Sequence, residues 1–238
     1  MEEAKVLYTF DFLGLKLKLT DQCLHSVIVQ WAIMAFLIIV AVIVTRNLKS
    51  KPDKKQTVIE MLVTWIRDLV DKNMGKEYRK FVPLIGTIGV YLLLLNMIGV
   101  FAIKPPTSSL STTLGLAIIS FAVVNGYAIK SNGLGQYIKG FAHPMALMLP
   151  LNIMERVVYL FTLTLRLFGN ILVGTLVIEL IYSALGGLGT SLLGYFGYVF
   201  DIGTPIPLHF YFDLFDGAIQ TFIFMMLTMV NIKTVNEE

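Results

Sequence analysis

Apolar residues in this chain gather in long runs separated by short basic or Gly/Pro-rich breaks, rather than alternating with polar ones. Runs of about 17–25 such residues are long enough to cross a bilayer as helices. The first run predicts a span over 24–45, followed at once by Arg46, Lys49, Lys51, Lys54 and Lys55. Loops rich in Lys and Arg stay on the cytoplasmic side, so this loop is expected inside and the N-terminus outside. Over 52–76 the pattern changes. Val58, Leu62, Ile66 and Leu69 recur at helical spacing with Glu60, Arg67, Asp68 and Asp71 on the other side, which predicts an amphipathic helix in the cytoplasmic interface. A second span, 81–103, is entered from the basic stretch between Lys72 and Lys80 and left through Lys104, Pro105 and Pro106. A third, 113–130, returns to Lys130 and Lys139.

Two longer tracts close the chain, at 145–185 and 190–233. The first is read as beginning between Pro144 and Pro150, and the second is interrupted by Pro205 and Pro207. Both exceed the roughly 20 residues of an upright span, so each is expected to tilt, bend or extend past the bilayer. Gly186, Gly187 and Gly189 between them predict a hairpin, and alternation of spans then leaves the C-terminus cytoplasmic. Residues 133–150, with Gly133, Gly135, Gly140, Pro144 and Pro150, read as a turn region. Residues 1–23 carry Phe10, Phe12, Leu13, Leu15, Leu17 and Leu19 broken by Lys16 and Lys18, and are expected to form an external interfacial segment. No internal repeat or separate soluble domain is visible, so the chain reads as a single membrane domain.

Composition agrees with the pattern: 56% of residues are hydrophobic and 15% charged. The class is an all-α integral membrane protein, with five transmembrane helices and an interfacial amphipathic helix. The net charge of +3 is carried by basic residues lying between apolar runs, which gives no support to nucleic-acid binding. Cys23 is the single cysteine, so no internal disulfide is possible, and with three scattered histidines no metal-ligand spacing arises. No motif implies a cofactor. The first twenty residues mix acids and lysines, unlike a secretory signal.

Against this background Arg166 stands out, inside the fourth tract with no acid nearer than Glu155 and Glu179. A charge at the centre of a membrane helix costs about 2.5–3.5 kcal/mol on insertion scales and more in isolation, so such residues face protein or water and usually serve a function. At about 100° per residue, Glu155, Tyr159, Thr162, Arg166 and Asn170 form one polar stripe, while Thr175 and Glu179 point elsewhere. In the last tract His209, Asp213, Asp216, Gln220 and Asn231 share a face with Gly217 beside them. Two polar stripes on a hairpin lower each other's cost by facing one another or a watery cleft. Blander readings stand beside these. Arg166 could be a structural arginine bonded to Gln220 or an aspartate, and Asp213 and Asp216 a helix start after the prolines. Equally, Glu155 with Arg156 could be a membrane-edge pair, His209 an interfacial side chain, and Gly169 and Gly174 simple packing residues.

The segments LRLFGN at Leu165 to Asn170 and AIQTFIFMMLTMV at Ala218 to Val230 resemble subunit a of the rotary F-type ATP synthases. PTSSLSTT at Pro106 to Thr113 and LPLNIME at Leu149 to Glu155 extend the resemblance over nearly the whole chain. It implies that Arg166 is the essential arginine facing the carboxylates of a c-subunit rotor ring, with Asn170 and Gln220 as its accompanying amides. Asp213 falls where relatives carry an ionisable channel residue. Two half-channels that do not meet would pass H⁺ or Na⁺ by way of the ring, the two last helices forming a long tilted hairpin against it. The further partners implied are b-type peripheral stalk subunits, the F1 sector indirectly and membrane lipid, in a bacterial plasma membrane. Phosphate chemistry would take place elsewhere in the complex.

Two departures from the family pattern are visible. The position nine residues after the arginine, commonly an acid or histidine, is Thr175, with Glu179 one turn on. Ser109 and Ser111 stand where relatives usually carry Asp and Asn. Asp213, Asp216 and Glu179 are therefore expected to share the external channel's role. The rival readings are a secondary transporter binding an anion at Arg166, which lacks the usual repeat and paired broken helices, and a purely structural membrane subunit.

Overall fold

The computed structural model describes residues 6–12, 15–46, 54–101, 105–141, 146–188 and 210–237. The expected positions Lys49, Lys104, His143, Pro144, Gly189, Pro205, Pro207 and His209 lie outside the described residues. Among the described residues five helices are long and apolar enough to cross a membrane.

The N-terminal segment, expected as an interfacial piece ahead of the helices, is a short hairpin. β1 (Val6–Phe12) and β2 (Leu15–Thr20) form an antiparallel hairpin in which Phe10 pairs with Leu17 and Asp11 with Lys16. The reason was present in the pattern, since Leu15, Leu17 and Leu19 alternate with Lys16 and Lys18 at the strand period of two. α1 (Asp21–Arg46) follows directly. Its apolar residues are exposed on most sides, as with Ile28, Trp31, Phe36 and Ile39, so most of this helix faces outward from the bundle.

α2 (Lys54–Asn73) is the amphipathic helix, ending before the expected 76, while the expected start at 52 lies outside the described residues. Its C-terminal half buries Ile66 and Val70, whereas Val58, Met61, Leu62 and Trp65 are exposed in its first half. A turn over Lys76–Phe81 leads into α3 (Val82–Met97). Pro83 sits in the first turn of α3, where its missing N–H costs nothing. The regular helix ends at Met97, before the expected 103, and a tighter turn over Ile98–Phe101 follows.

α4 (Leu110–Asn132) begins before the expected 113 because Ser109, extended at φ −98° and ψ 125°, stands at its N-terminal boundary and its carbonyl accepts from Thr112 and Thr113 N–H. Gly133 then turns the chain at φ 79°, and the supposed turn region contains a short helix, α5 (Leu134–Gly140). α6 (Leu149–Leu188) runs 40 residues, starting later than the expected 145. Gly186 and Gly187 do not end it. At about 1.5 Å per residue it is roughly twice as long as the hydrocarbon core is thick. Of the last tract, 190–209 lie outside the described residues; the described part begins with a π-helical stretch, Phe210–Asp216, and continues as α7 (Gly217–Glu237).

The core has two parts. At one end Ile66, Val70, Phe81, Ile85, Val124 and Met229 join α2, α3, α4 and α7. Toward the middle, Leu92, Leu95, Ala117, Leu163, Leu167 and Phe224 join α3, α4, α6 and α7. Close approach is made by small residues: Gly89 meets Met225, and Gly217 meets Asn96. Residues at the first of these ends are tied by polar contacts. Arg79 binds Asp71 through Nη2 at 2.6 Å, Lys80 Nζ sits 4.3 Å from the centre of the Tyr127 ring, and Tyr137 OH donates to Asn125 Oδ1 at 2.7 Å.

Candidate functional site

α6 decides where Arg166 points. Its buried positions are Tyr159, Leu163, Thr164, Leu167, Gly174 and Ile178, while Phe161, Thr162, Leu165, Leu172, Val173 and Leu176 are exposed. At about 100° per residue Arg166 falls roughly 20° from Tyr159 and 40° from Asn170. The polar stripe therefore runs along the edge of the buried face instead of lining one environment. Tyr159 is buried, Asn170 half-buried, and Arg166 exposed. Among the described residues Arg166 has neither a hydrogen-bond nor an ion-pair partner. A structural arginine bonded to Gln220 is thus not what the structure contains. Arg166 is a cation on an open face of a membrane helix, sharing that side with the exposed Thr162 and Val173.

On the facing element, Gln220 is only 6% exposed, and its Nε2 has no hydrogen-bond partner. Such an orphaned donor is costly in a low-dielectric interior. The turn before it is fixed by a polar cluster absent from the sequence reading. Asn96 Nδ2 donates to Gly217 O and Thr221 Oγ1, both at 3.4 Å, and Thr107 Oγ1 donates to Asn96 Oδ1 at 3.2 Å. Asn96 is 4% exposed and Thr107 fully buried. The signal that could have found Asn96 is its amide, alone in the apolar run Tyr91 to Val100.

The single polar face inferred for the last tract needs correction. Residues Phe210–Asp216 are π-helical, with more residues per turn than an α-helix, so a phase counted at about 100° per residue does not carry from Asp213 to Gln220. Asp216 is half-buried at the junction, and Asp213 is on the π-helical stretch. Tyr211 and Phe215 stack there, ring centres 5.5 Å apart.

Arg166 and Gln220 nevertheless come to the same depth. The Cβ position of Gly174 lies 3.5 Å from Phe212 Cδ1, which sets the register between α6 and the last tract. Consecutive spans run in opposite directions, and Arg166 is eight residues before Gly174 while Gln220 is eight after Phe212. Other candidates lie apart. Glu179 is exposed on a different side of α6, one turn past Thr175, whose hydroxyl donates back to Leu172 O. Glu155 is exposed near the start of α6. Ser109 Oγ and Ser111 Oγ are 2.8 Å apart at the start of α4. Among the described residues no three of His, Cys, Asp or Glu gather as a metal site.

Comparison with known proteins gives the family. Residues 27–233 match the family described as ATP synthase A chain. The ATP synthase subunit a of Priestia megaterium is 38% identical over 234 residues, covering 93% of each chain. That of Bacillus subtilis is 35% identical over 237 residues, again with 93% of each covered. The protein named ATP synthase subunit a, sodium ion specific, of Propionigenium modestum is 34% identical over 224 residues, covering 87% of this chain and 72% of the relative. With five helices long enough to span a membrane among the described residues, the unpartnered Arg166 on the fourth and a family match over residues 27–233, the chain belongs to the ATP synthase A chain family.

Proposed function

We propose that this chain is the non-catalytic stator subunit of the membrane sector, and that it passes H⁺ or Na⁺ through two half-channels against a ring of c subunits. The observation that carries this reading is Arg166, exposed and unpartnered among the described residues on an open face of a membrane helix. A cation left there is costly unless another chain brings it a counter-charge. A carboxylate crossing lipid must be neutral, whereas beside a guanidinium its ionised form is favoured and the ion leaves. Arginine stays protonated, so Arg166 cannot relay protons, and its fixed charge blocks a direct path between the channels. Asn170, half-buried beside it, and Gln220, level with it, are the amides that orient the passing carboxylate.

Asp213, Asp216 and Glu179 are assigned to the external channel, since Thr175, Ser109 and Ser111 cannot ionise in their place. The b-type stalk subunits and lipid take the remaining outer surfaces, the F1 sector is reached indirectly, and the membrane is the bacterial plasma membrane, with the N-terminus outside and the C-terminus cytoplasmic. An anion transporter remains the second reading, because the same exposed Arg166 could hold a solute.

The test is the assembled complex in membrane vesicles with Arg166→Lys or Arg166→Ala. Loss of coupled ATP synthesis with normal assembly is expected. Normal coupling would sink the assignment, and solute uptake by the isolated chain would favour the transporter. Asp213→Asn with Asp216→Asn is expected to abolish ion-driven synthesis; intact synthesis would remove both from the channel. ATP-driven transport measured with and without Na⁺ identifies the ion.

A further inference from the structure

Apolar surfaces alone fix the register of two membrane helices poorly, because lipid tails solvate a leucine as well as a neighbouring helix does. Yet α6 and the last tract hold Arg166 and Gln220 at one depth. A buried cluster of three hydroxyls crosses from α6 through α4 to α7. Tyr159 OH is 3.3 Å from Ser120 Oγ, which is 3.0 Å from Thr228 Oγ1, and Thr228 Oγ1 donates to Phe224 O at 2.9 Å. Tyr159 is 9% exposed, Ser120 1% and Thr228 not at all.

The donor order follows from where the chain ends. Thr228 spends its proton on a backbone carbonyl, so it accepts from Ser120, which in turn accepts from Tyr159. Each hydroxyl donates once, and the last acceptor has no proton to hand on. The cluster is therefore saturated and directional, built to hold positions rather than to conduct.

Its place along the helices is informative. Arg166 lies seven residues beyond Tyr159, and Gln220 eight residues before Thr228, or about 10 and 12 Å at the α-helical rise. The Gly174–Phe212 contact lies on the far side of both. The pair is thus bracketed, and a slip of one residue would carry Thr228 about 1.5 Å along and about 100° round, leaving the buried Ser120 proton without its acceptor.

We propose that Tyr159, Ser120 and Thr228 are positioning residues, a register pin that keeps Arg166 and Gln220 level while a ring carboxylate passes. This rests on the role given above to Arg166 and Gln220. The test uses the whole complex in inverted vesicles, with Cys23→Ser, Gly174→Cys and Phe212→Cys added for disulfide formation across the interface. Tyr159→Phe and Thr228→Val each remove a hydroxyl at nearly constant shape, and Thr228→Ser keeps it. The first two are expected to assemble, to lower the 174–212 cross-link severalfold, and to reduce ATP-driven pumping on the order of tenfold or more, as angstrom-scale misplacement does. Thr228→Ser should retain both. Parental cross-linking and pumping in Tyr159→Phe and Thr228→Val would overturn the proposal, as would equal losses in Thr228→Ser. Normal coupling in Arg166→Lys would instead overturn the stator reading and leave the cross-linking result in place, so the two failures are distinguishable.

Discussion

Gly217→Ala probes how the last helix is seated. Gly217 begins α7 where the π-helical stretch ends, three residues before Gln220. A Cβ at this position would lie 3.0 Å from Asn96 Cβ, 3.8 Å from Asn96 C and 3.9 Å from Asn96 O. Carbon atoms prefer about 3.5–4.0 Å, and the atoms in the way are main chain or bonded directly to it, so no rotamer change relieves the contact. Overpacking of this kind costs about 1–3 kcal/mol. Pushing the helices apart also lengthens the Asn96 bond to Gly217 O, already 3.4 Å, and interhelical bonds in membranes average about 0.6 kcal/mol. Gly115→Ala in α4 is the control, because nothing lies within 4 Å of its Cβ position. It should be neutral or stabilising by up to about 1 kcal/mol from helix propensity. The measurement is thermal disassembly of the purified complex together with ATP-driven pumping, which Gly217→Ala should lower by shifting Gln220. If Gly217→Ala melts and pumps like Gly115→Ala, the tight seat against Asn96 does not exist.

Leu163→Ala empties a site with no exposure in the mid-bundle core and should cost about 2–5 kcal/mol in the same melting assay; a loss below about 1 kcal/mol would mean the helices close over the gap. Hydrogen bonding from Arg79 holds the Asp71 carboxyl below the usual carboxylate range, against a smaller opposing effect of burial. A depressed folded-state value means that the clamp contributes fully above the ordinary range and is lost as pH falls through the lowered one. Protection of the amides over 71–81, taken relative to their intrinsic exchange rates at each pH, should therefore fall on acidification, and Asp71→Asn should remove that fall; the same loss of protection in the variant would show that the clamp is not responsible. Cys23, half-buried in the first turn of α1, should react with a membrane-impermeant thiol reagent added outside intact cells, and labelling only in inverted vesicles would reverse the proposed orientation.

The sequence by itself determined the class, the five spans and the presence of an unusual arginine. Run length against bilayer thickness is a one-dimensional property, and a charge in an oily run announces its own cost. Finer features depended on neighbours. Helical phase placed Tyr159, Arg166 and Asn170 on one stripe, but only packing against α4 and α7 divided it into a buried phenol, a half-buried amide and an exposed cation. The π-helical turn at Phe210–Asp216 altered a face that counting at a constant angle had drawn. Asn96 and Thr107 acquired their importance from Gly217, more than a hundred residues away. The depth shared by Arg166 and Gln220 was likewise a tertiary decision, because no spacing along the chain fixes how two antiparallel helices slide; side chains that meet across the interface do.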